Sequence, residues 1–403
     1  MTPTVVISRR GADRVRSGHP WIYQSDIVEA EAESGDLVRV REERRRPVGW
    51  GLWSSQSQIA LRIMVVGSLG SLGSLGSGKD DIDERALFES RLRQAIDYRA
   101  TLAIDGTARR LVHGEADRLP ALIVDQYGDA SGEYLVIQTL CQGMDRRSGL
   151  IVELLTEIIH PRGIVARNDP KVRRLEGLEE RVDVLAGEIP ETVAVREGDV
   201  TFRADLRQGQ KTGLFLDQRE NHVVAASYAT GRALDAFTYN GGFALHLARR
   251  CESVAALDSS ASAVALTRAN AAANGLTNID VREVNVFDEL RELEASGEHF
   301  DTIVLDPPAF AKNRAAVGRA LAGYKEINLR ALRLLSPGGH LITCSCSYHV
   351  DESTFVAVVT DAAMDARATV TLVEKRTQAR DHPVLIGVPE THYLKCLVLR
   401  KAG

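Results

Sequence analysis

Arg232 to Asp258 read RALDAFTYNGGFALHLARRCESVAALD, and this stretch decides the fold. A short buried strand over Arg232–Phe237 gives way to a glycine pair at Gly241 and Gly242. A helical stretch follows, and then a second short strand, Ser253–Asp258. Strand, glycine turn, helix and strand in this order predict a parallel βαβ unit, because parallel strands need a crossover and are covered on both faces. Reading outward toward the C-terminus, the same alternation continues through strands at Ile279–Val284, Phe300–Asp306 and His340–Cys346, each followed by a helical stretch. The helix over Ser260–Asn274 has Ser259 or Ser260 as its N-cap and Gly275 as its stop. From about residue 206 the chain therefore predicts a parallel sheet covered on both faces, with ligands bound outside the carboxyl ends of the strands.

The strand-end loops carry the candidate chemistry. Asp235 and the pair Gly241–Gly242 would let backbone approach a ligand at a helix N-terminus, but the loop lacks G-x-G-x-x-G, so a dinucleotide pyrophosphate has no cradle. A plain tight turn explains the glycines equally well. The next strand ends on Asp258, whose carboxylate can accept hydrogen bonds from both ribose hydroxyls of NAD or S-adenosylmethionine. The missing phosphate loop favours the latter, which carries no phosphate. Asn285 and Phe287 at the third strand's end could hold an adenine, or could be a helix cap and a core residue. The fourth strand ends in Asp306-Pro307-Pro308-Ala309-Phe310. Two prolines donate no hydrogen bonds and leave rigidly aimed carbonyls, which suit the exocyclic amine of a planar base. Phe310 could stack on that base; the alternative is a rigid strand-to-helix turn. In the fifth strand, Cys344 and Cys346 fall on one side by the period of two, with Cys346 nearer the carboxyl end. They could be a nucleophile, buried structural thiols or metal ligands. No further Cys/His cluster has zinc-like spacing, so no metal site is expected.

N-terminal to this region the texture differs. GSLGSLGSLGSG at 67–78 is a repeat with no apolar period, and it reads as a flexible linker of about 20 Å root-mean-square span that would let its flanks move. Before it, Leu37–Val40, Val48–Trp53 and Ile59–Val66 alternate with turn residues and predict a small β-rich barrel. After it, Asp81–Leu102 predicts an amphipathic helix carrying Phe88, Leu92, Ala95, Ile96 and Arg99 on one face. That helix opens an α+β module to which the residues alone assign no chemistry. The 403 residues carry a net charge of -5, with no global sign of nucleic-acid binding. Residues 1–66 nevertheless hold ten Arg against eight acidic residues. Arg9, Arg10, Arg14 and Arg44–Arg46 are candidate phosphate contacts, or else a solvated surface. Five scattered cysteines make a poor disulfide framework. The N-terminus builds no apolar signal segment, and no apolar run reaches membrane-spanning length. A cytoplasmic protein is expected.

Together these stretches resemble the S-adenosylmethionine-dependent cytosine-5 methyltransferases of 23S ribosomal RNA that carry an N-terminal PUA domain. The likeness covers nearly the whole chain. It rests on GADRVRSGHPWIYQSDI, RLVHGEADRLPALIVDQYGD, GQKTGLFLDQREN, DAFTYNGGF, LDPPAFAK, SCS, DHPV and THYLK in that order. The resemblance implies a PUA RNA-binding domain at 1–66, the linker at 67–78, a central α+β module at 79–190 and a class I (Rossmann-like) methyltransferase domain at 191–403. It also implies S-adenosylmethionine contacts at Gln218 and Arg219, and Cys346 of the SCS triplet as nucleophile. Asp306 is expected to bind the base edge, to assist proton movement on N3/N4 and to stand among the contacts of the methyl donor. The family pattern does not require a Cys two residues earlier, so Cys344 competes. In the broader RNA cytosine-5 methyltransferases the nucleophile lies seven positions after the second glycine of a Gly-Gly pair, which counts from Gly339 to Cys346. Only the resemblance suggests a homodimer. Two other readings stay open: an exocyclic-amine RNA methyltransferase that needs no thiol, and a non-catalytic rRNA-binding assembly factor that retains affinity for S-adenosylmethionine.

Overall fold

The computed structural model describes residues 3–44, 46–67, 82–311 and 313–403. Of the Gly67–Gly78 stretch only Gly67 lies within them. The chain forms two compact units: 1–195 with 204–214 and 380–391, and 196–203 with 215–379 and 392–403. No helix among the described residues is long and apolar enough to cross a membrane.

In the first unit, β1 (Thr4–Ile7), α1 (Arg9–Arg16), β2 (Trp21–Tyr23), β3 (Ile27–Glu31), β4 (Leu37–Glu42), β5 (Pro47–Trp53) and β6 (Ile59–Val66) build a six-stranded sheet in the order β2-β6-β5-β4-β1-β3. Ser8 caps α1 by accepting from the Gly11 N–H at 3.2 Å, relieving one of the unpaired donors of the first turn. Beyond residue 81 come α2 (Glu84–Thr101), β7 (Ala108–His113), β8 (Leu122–Asp129), β9 (Gly132–Thr139), α3 (Gln142–Arg146), α4 (Ser148–Ile159), β10 (Gly163–Asn168) and β11 (Arg181–Gly187). Their strands form a second sheet in the order β11-β10-β9-β8-β7.

The sequence reading lets these two parts move about the linker, but they share a core. Leu37, Trp50, Leu52, Met64 and Val65 of the N-terminal sheet lie in one apolar cluster with Phe88, Leu92, Leu111, Ile137 and Leu154. The buried pair Arg62–Glu176 (2.8 Å) and the Trp21 indole donating to Glu115 (2.9 Å) tie them further. Fully burying a side chain of this size contributes about 1.5–3 kcal/mol, so the shared cluster outweighs any freedom that the linker supplies.

The second unit follows the hairpin β12 (Val193–Glu197) and β13 (Val200–Ala204). It comprises α5 (Arg219–Tyr228), β14 (Arg232–Ala236), α6 (Gly242–Ala248), β15 (Ser253–Asp258), α7 (Ala261–Ala273), β16 (Ile279–Glu283), α8 (Val286–Ala295), β17 (Phe300–Leu305), α9 (Val317–Leu334), β18 (Leu335–Ser345), α10 (Glu352–Ala366), β19 (Val370–Arg376) and β20 (Lys395–Lys401). The sheet order is β16-β15-β14-β17-β18-β20-β19. Its first five strands are parallel. The expectation of a wholly parallel sheet needs correction at one edge, where β20 runs antiparallel to β18 and β19 antiparallel to β20. After α10 the crossover is repeated, since β19 runs the same way as β18, but the chain then turns back and β20 inserts antiparallel between the two, an antiparallel strand on an otherwise parallel sheet. On α9, Ala320, Tyr324, Ile327, Ala331 and Leu334 recur at helical spacing and bury against the sheet.

Candidate active site at the carboxyl ends of the strands

Asp235, Asp258 and Asp306 stand at the carboxyl ends of β14, β15 and β17, three neighbouring strands. Asp235 is fully buried. Its Oδ2 accepts from the Thr238 hydroxyl (2.6 Å) and the Ala244 N–H (2.9 Å), while Oδ1 is buried without a hydrogen-bond partner. Burial pushes its pKa up to about 7. The loop it anchors is wound tightly, with Phe237, Tyr239 and Gly241 all at positive φ (69°, 50° and 86°). Non-glycine residues held there are strained by about 1–3 kcal/mol each, a feature that clusters at functional sites. The two glycines also have packing reasons. A Cβ on Gly241 would lie 2.1 Å from Leu245 Cδ1, and one on Gly242 2.7 Å from His222 Nε2. Asp258, half-buried, accepts the Tyr239 N–H at Oδ2 and the Ser260 N–H at Oδ1, both at 2.9 Å. Each oxygen keeps a lone pair for a ligand. Asn285 caps α8 by accepting from the N–H groups of Phe287 (3.0 Å) and Asp288 (3.4 Å). Phe287 packs against Phe237 (6.2 Å) and Phe310 (5.9 Å) between ring centroids.

Asp306 follows β17 directly, and Gln218 Nε2 donates to its Oδ1 at 2.9 Å. Asn221 in turn donates to Gln218 Oε1 (2.7 Å), fixing the amide's orientation. Arg219 opens α5 and is buried. Pro307 is buried, whereas Pro308 is exposed and Phe310 half-buried. Cys346 sits one residue beyond the end of β18, half-buried, with Sγ 3.9 Å from the Pro307 carbonyl. Its two flanking serines converge on one group. Ser345 Oγ donates to the Tyr324 hydroxyl (3.0 Å), and Ser347 Oγ lies 2.9 Å from that hydroxyl while accepting the Ala311 N–H at 3.1 Å. The cysteine loop and the Asp-Pro-Pro loop are thus held against each other. Cys344 has a different setting. It lies inside β18 opposite Cys396 and is fully buried. The Cys396 thiol across the sheet, together with that burial, holds the Cys344 thiol well above its ordinary range.

The family model of S-adenosylmethionine-dependent methyltransferases matches residues 173–400, and that of the PUA-like domain matches 5–65. The chain belongs to the S-adenosylmethionine-dependent methyltransferases. Among curated relatives, "Ribosomal RNA large subunit methyltransferase I" of Tolumonas auensis is 37% identical over 99% of this chain and 100% of its own. The protein of that name from Aeromonas salmonicida is 38% identical over 95% of each. The solved structure of "SMU.776, a putative methyltransferase complexed with SAH", 20% identical, superposes with a TM-score of 0.81 over 98% of this chain and 99% of its own, which shows the common fold.

S-adenosylmethionine is the cofactor of this methyltransferase, and the residues present suit it. It bears a sulfonium and an ammonium, and the Asp258 and Asp306 carboxylates at the strand ends complement positive charge. Between them Asp235, whose carboxyl burial pushes up to about 7, keeps a buried oxygen without a hydrogen-bond partner.

Reasoning from sequence passed over several residues. Tyr324, the common partner of both serines, carries no motif signal and is visible only as one apolar position on α9. Lys395 belongs to THYLK, a stretch quoted above without a role. Glu197, His222 and His246 form a buried trio, with Glu197 Oε1 2.7 Å from His222 Nδ1 and 3.0 Å from His246 Nε2. These are hydrogen-bond lengths. Against its burial, the two imidazoles hold the Glu197 carboxyl down at about 2. In the first unit, Arg10 and Arg14 are drawn onto the buried Asp26 (2.6 and 2.7 Å), whereas Arg9 is exposed, its nearest carboxylate, Asp13, 3.7 Å away.

Proposed function

We propose that the chain methylates C5 of a cytosine in 23S ribosomal RNA through a covalent bond between Cys346 and C6. Family membership supports methyl transfer, and the names of relatives sharing 37% and 38% identity support large-subunit ribosomal RNA as substrate. The observation that carries the covalent reading is the placing of Cys346. It is the accessible thiol of the C-x-C pair, at a strand's carboxyl end, against the Asp306–Phe310 loop.

S-adenosylmethionine supplies an electrophilic methyl group when bound. C5 of cytosine is too poor a nucleophile to take it unaided. Addition of the Cys346 thiolate to C6 forms an Sγ–C6 bond and shifts the C5=C6 electron pair toward C5, which takes the methyl as its bond to the sulfonium sulfur breaks and a neutral thioether leaves. Transfer of the C5 proton to a base re-forms C5=C6 and breaks the Sγ–C6 bond, returning the thiolate. Asp306, oriented by Gln218, binds the base edge, Phe310 and the proline carbonyls position the ring, and Asp258, Asp235 and Phe287 hold the methyl donor. The test is the position of the methyl. Large-subunit rRNA from a deletion strain, digested and compared with its parent by mass spectrometry, should lack one 5-methylcytidine. Loss of a methyl from an exocyclic amine instead would overturn the reading.

A further inference from the structure

Lys395 is the first residue of β20, and its side chain is buried beneath the cysteine loop. Its Nζ donates to the Ser347 carbonyl at 2.7 Å and to the Tyr393 carbonyl at 2.8 Å. Both acceptors are neutral. Among the described residues no carboxylate lies within ion-pair distance of it, although burying an ammonium without a counter-charge is costly. An ammonium has three N–H donors, and these two carbonyls occupy two of them.

Among the described residues, Cys346 and Asp351, the N-cap of α10, are the ionisable groups that act on this ammonium. Tyr324 of α9, hydrogen-bonded to the serines on either side of Cys346, also feels its charge. Asp306, beyond β17, acts on the neighbouring Cys344. Burial brings Lys395 down to about 8, and Cys346 and Asp351 pull against that fall. A lysine with this value is still mostly charged at neutral pH.

We propose that Lys395 is the positioning residue for Cys346: it pins the loop through the Ser347 carbonyl and supplies the positive charge that holds the sulfur as a thiolate. The inference rests on the reading of Cys346 as nucleophile but concerns a property of the free enzyme. A free cysteine is only a few per cent thiolate at pH 7, and a neighbouring ammonium is one of the recognised ways of lowering its pKa. Ser345 and Ser347 fix where the sulfur sits, and neither can supply charge. Lys395 does both through one side chain.

The experiment is the pH dependence of iodoacetamide alkylation at Cys346, followed by peptide mass spectrometry on the full-length protein without RNA. The other four cysteines are buried, so the Cys346 peptide reports alone. In the parent, the apparent thiol pKa should fall at least about one unit below the 8.5 of a free cysteine. Lys395→Met should remove that shift and slow alkylation at pH 7 roughly tenfold. Lys395→Arg, which keeps the charge, should stay closer to the parent than to Lys395→Met. A parent value at or above that of free cysteine would overturn the proposal even if neither variant folds. So would equal shifts in the Met and Arg variants, because the charge would then not be the cause. A low parent pKa that Lys395→Met abolishes, in an enzyme that forms no covalent bond to RNA, would retain this inference while removing the proposed reaction.

Discussion

Cys344 and Cys346 are two residues apart, yet backbone geometry gives them different chemistry. The period of two places them on one side only while the strand continues, and β18 ends at Ser345. Cys344 is therefore locked in the ladder opposite Cys396, whose thiol, with burial, raises the pKa of Cys344, whereas Cys346 leaves the ladder and reaches the Pro307 carbonyl. Asp235 shows the same control by environment. Its carboxyl is pushed up to about 7, first by burial and only slightly by Asp258. In the folded protein it therefore keeps a proton that the unfolded chain loses near pH 4. Between about pH 4 and 7 the native state binds more protons than the unfolded state, so stability falls as pH rises through that window and levels off above it. Asp235→Asn cannot titrate. Chemical denaturation from pH 4.5 to 7.5 should show the parent losing a few kcal/mol relative to this variant. Parallel stability profiles for the two proteins would contradict the assignment.

At the scale of elements, much was legible and the rest was hidden for identifiable reasons. Ser253–Asp258 and Ile59–Val66 form strands with the bounds read from sequence, and Ser260 caps α7 by accepting from Ala263. Alternating buried strands and amphipathic helices leave a strong local signal. The helix expected over Asp81–Leu102 is α2, Glu84–Thr101, with Phe88, Leu92, Ala95 and Arg99 buried and Ile96 half-buried; Asp81 lies outside the described residues. The antiparallel strand has no local signal, because Lys395–Lys401 is a β-prone run whose direction is set by the long connection from β19 that inserts it between β18 and β19 rather than by any residue within it. Asn285 caps α8, its carbonyl oxygen accepting from the N–H groups of Phe287 and Asp288; the cap does not use its amide NH2. Tyr324 was illegible because its role depends on meeting two serines more than twenty residues downstream.

At the scale of the whole molecule, the packing changes how RNA capture should be tested. Removing residues 1–66 would strip Leu37, Trp50, Leu52, Met64 and Val65 from a core shared with the central sheet, so truncation would confound folding with binding. Arg10 and Arg14 are also poor targets, since their loss would leave the buried Asp26 uncompensated. Arg9, Arg44 and Arg46 are exposed. Replacing these three with alanine should weaken RNA binding and flatten its log–log salt dependence by about 0.7–0.9 per lost phosphate contact, with affinity for S-adenosylmethionine retained. An unchanged slope would place the RNA elsewhere.

The central claim is a bond between Cys346 and the base, and RNA carrying 5-fluorocytidine at the target tests it most directly. Fluorine stands where the departing proton should be, so methyl transfer proceeds but elimination stalls with the sulfur still on C6. The account predicts an adduct that survives denaturant, mapped by peptide mass spectrometry to Cys346, lost in Cys346→Ala and kept in Cys344→Ala. Methylation of C5 at the parental rate by Cys346→Ala, with no adduct in any variant, would contradict it.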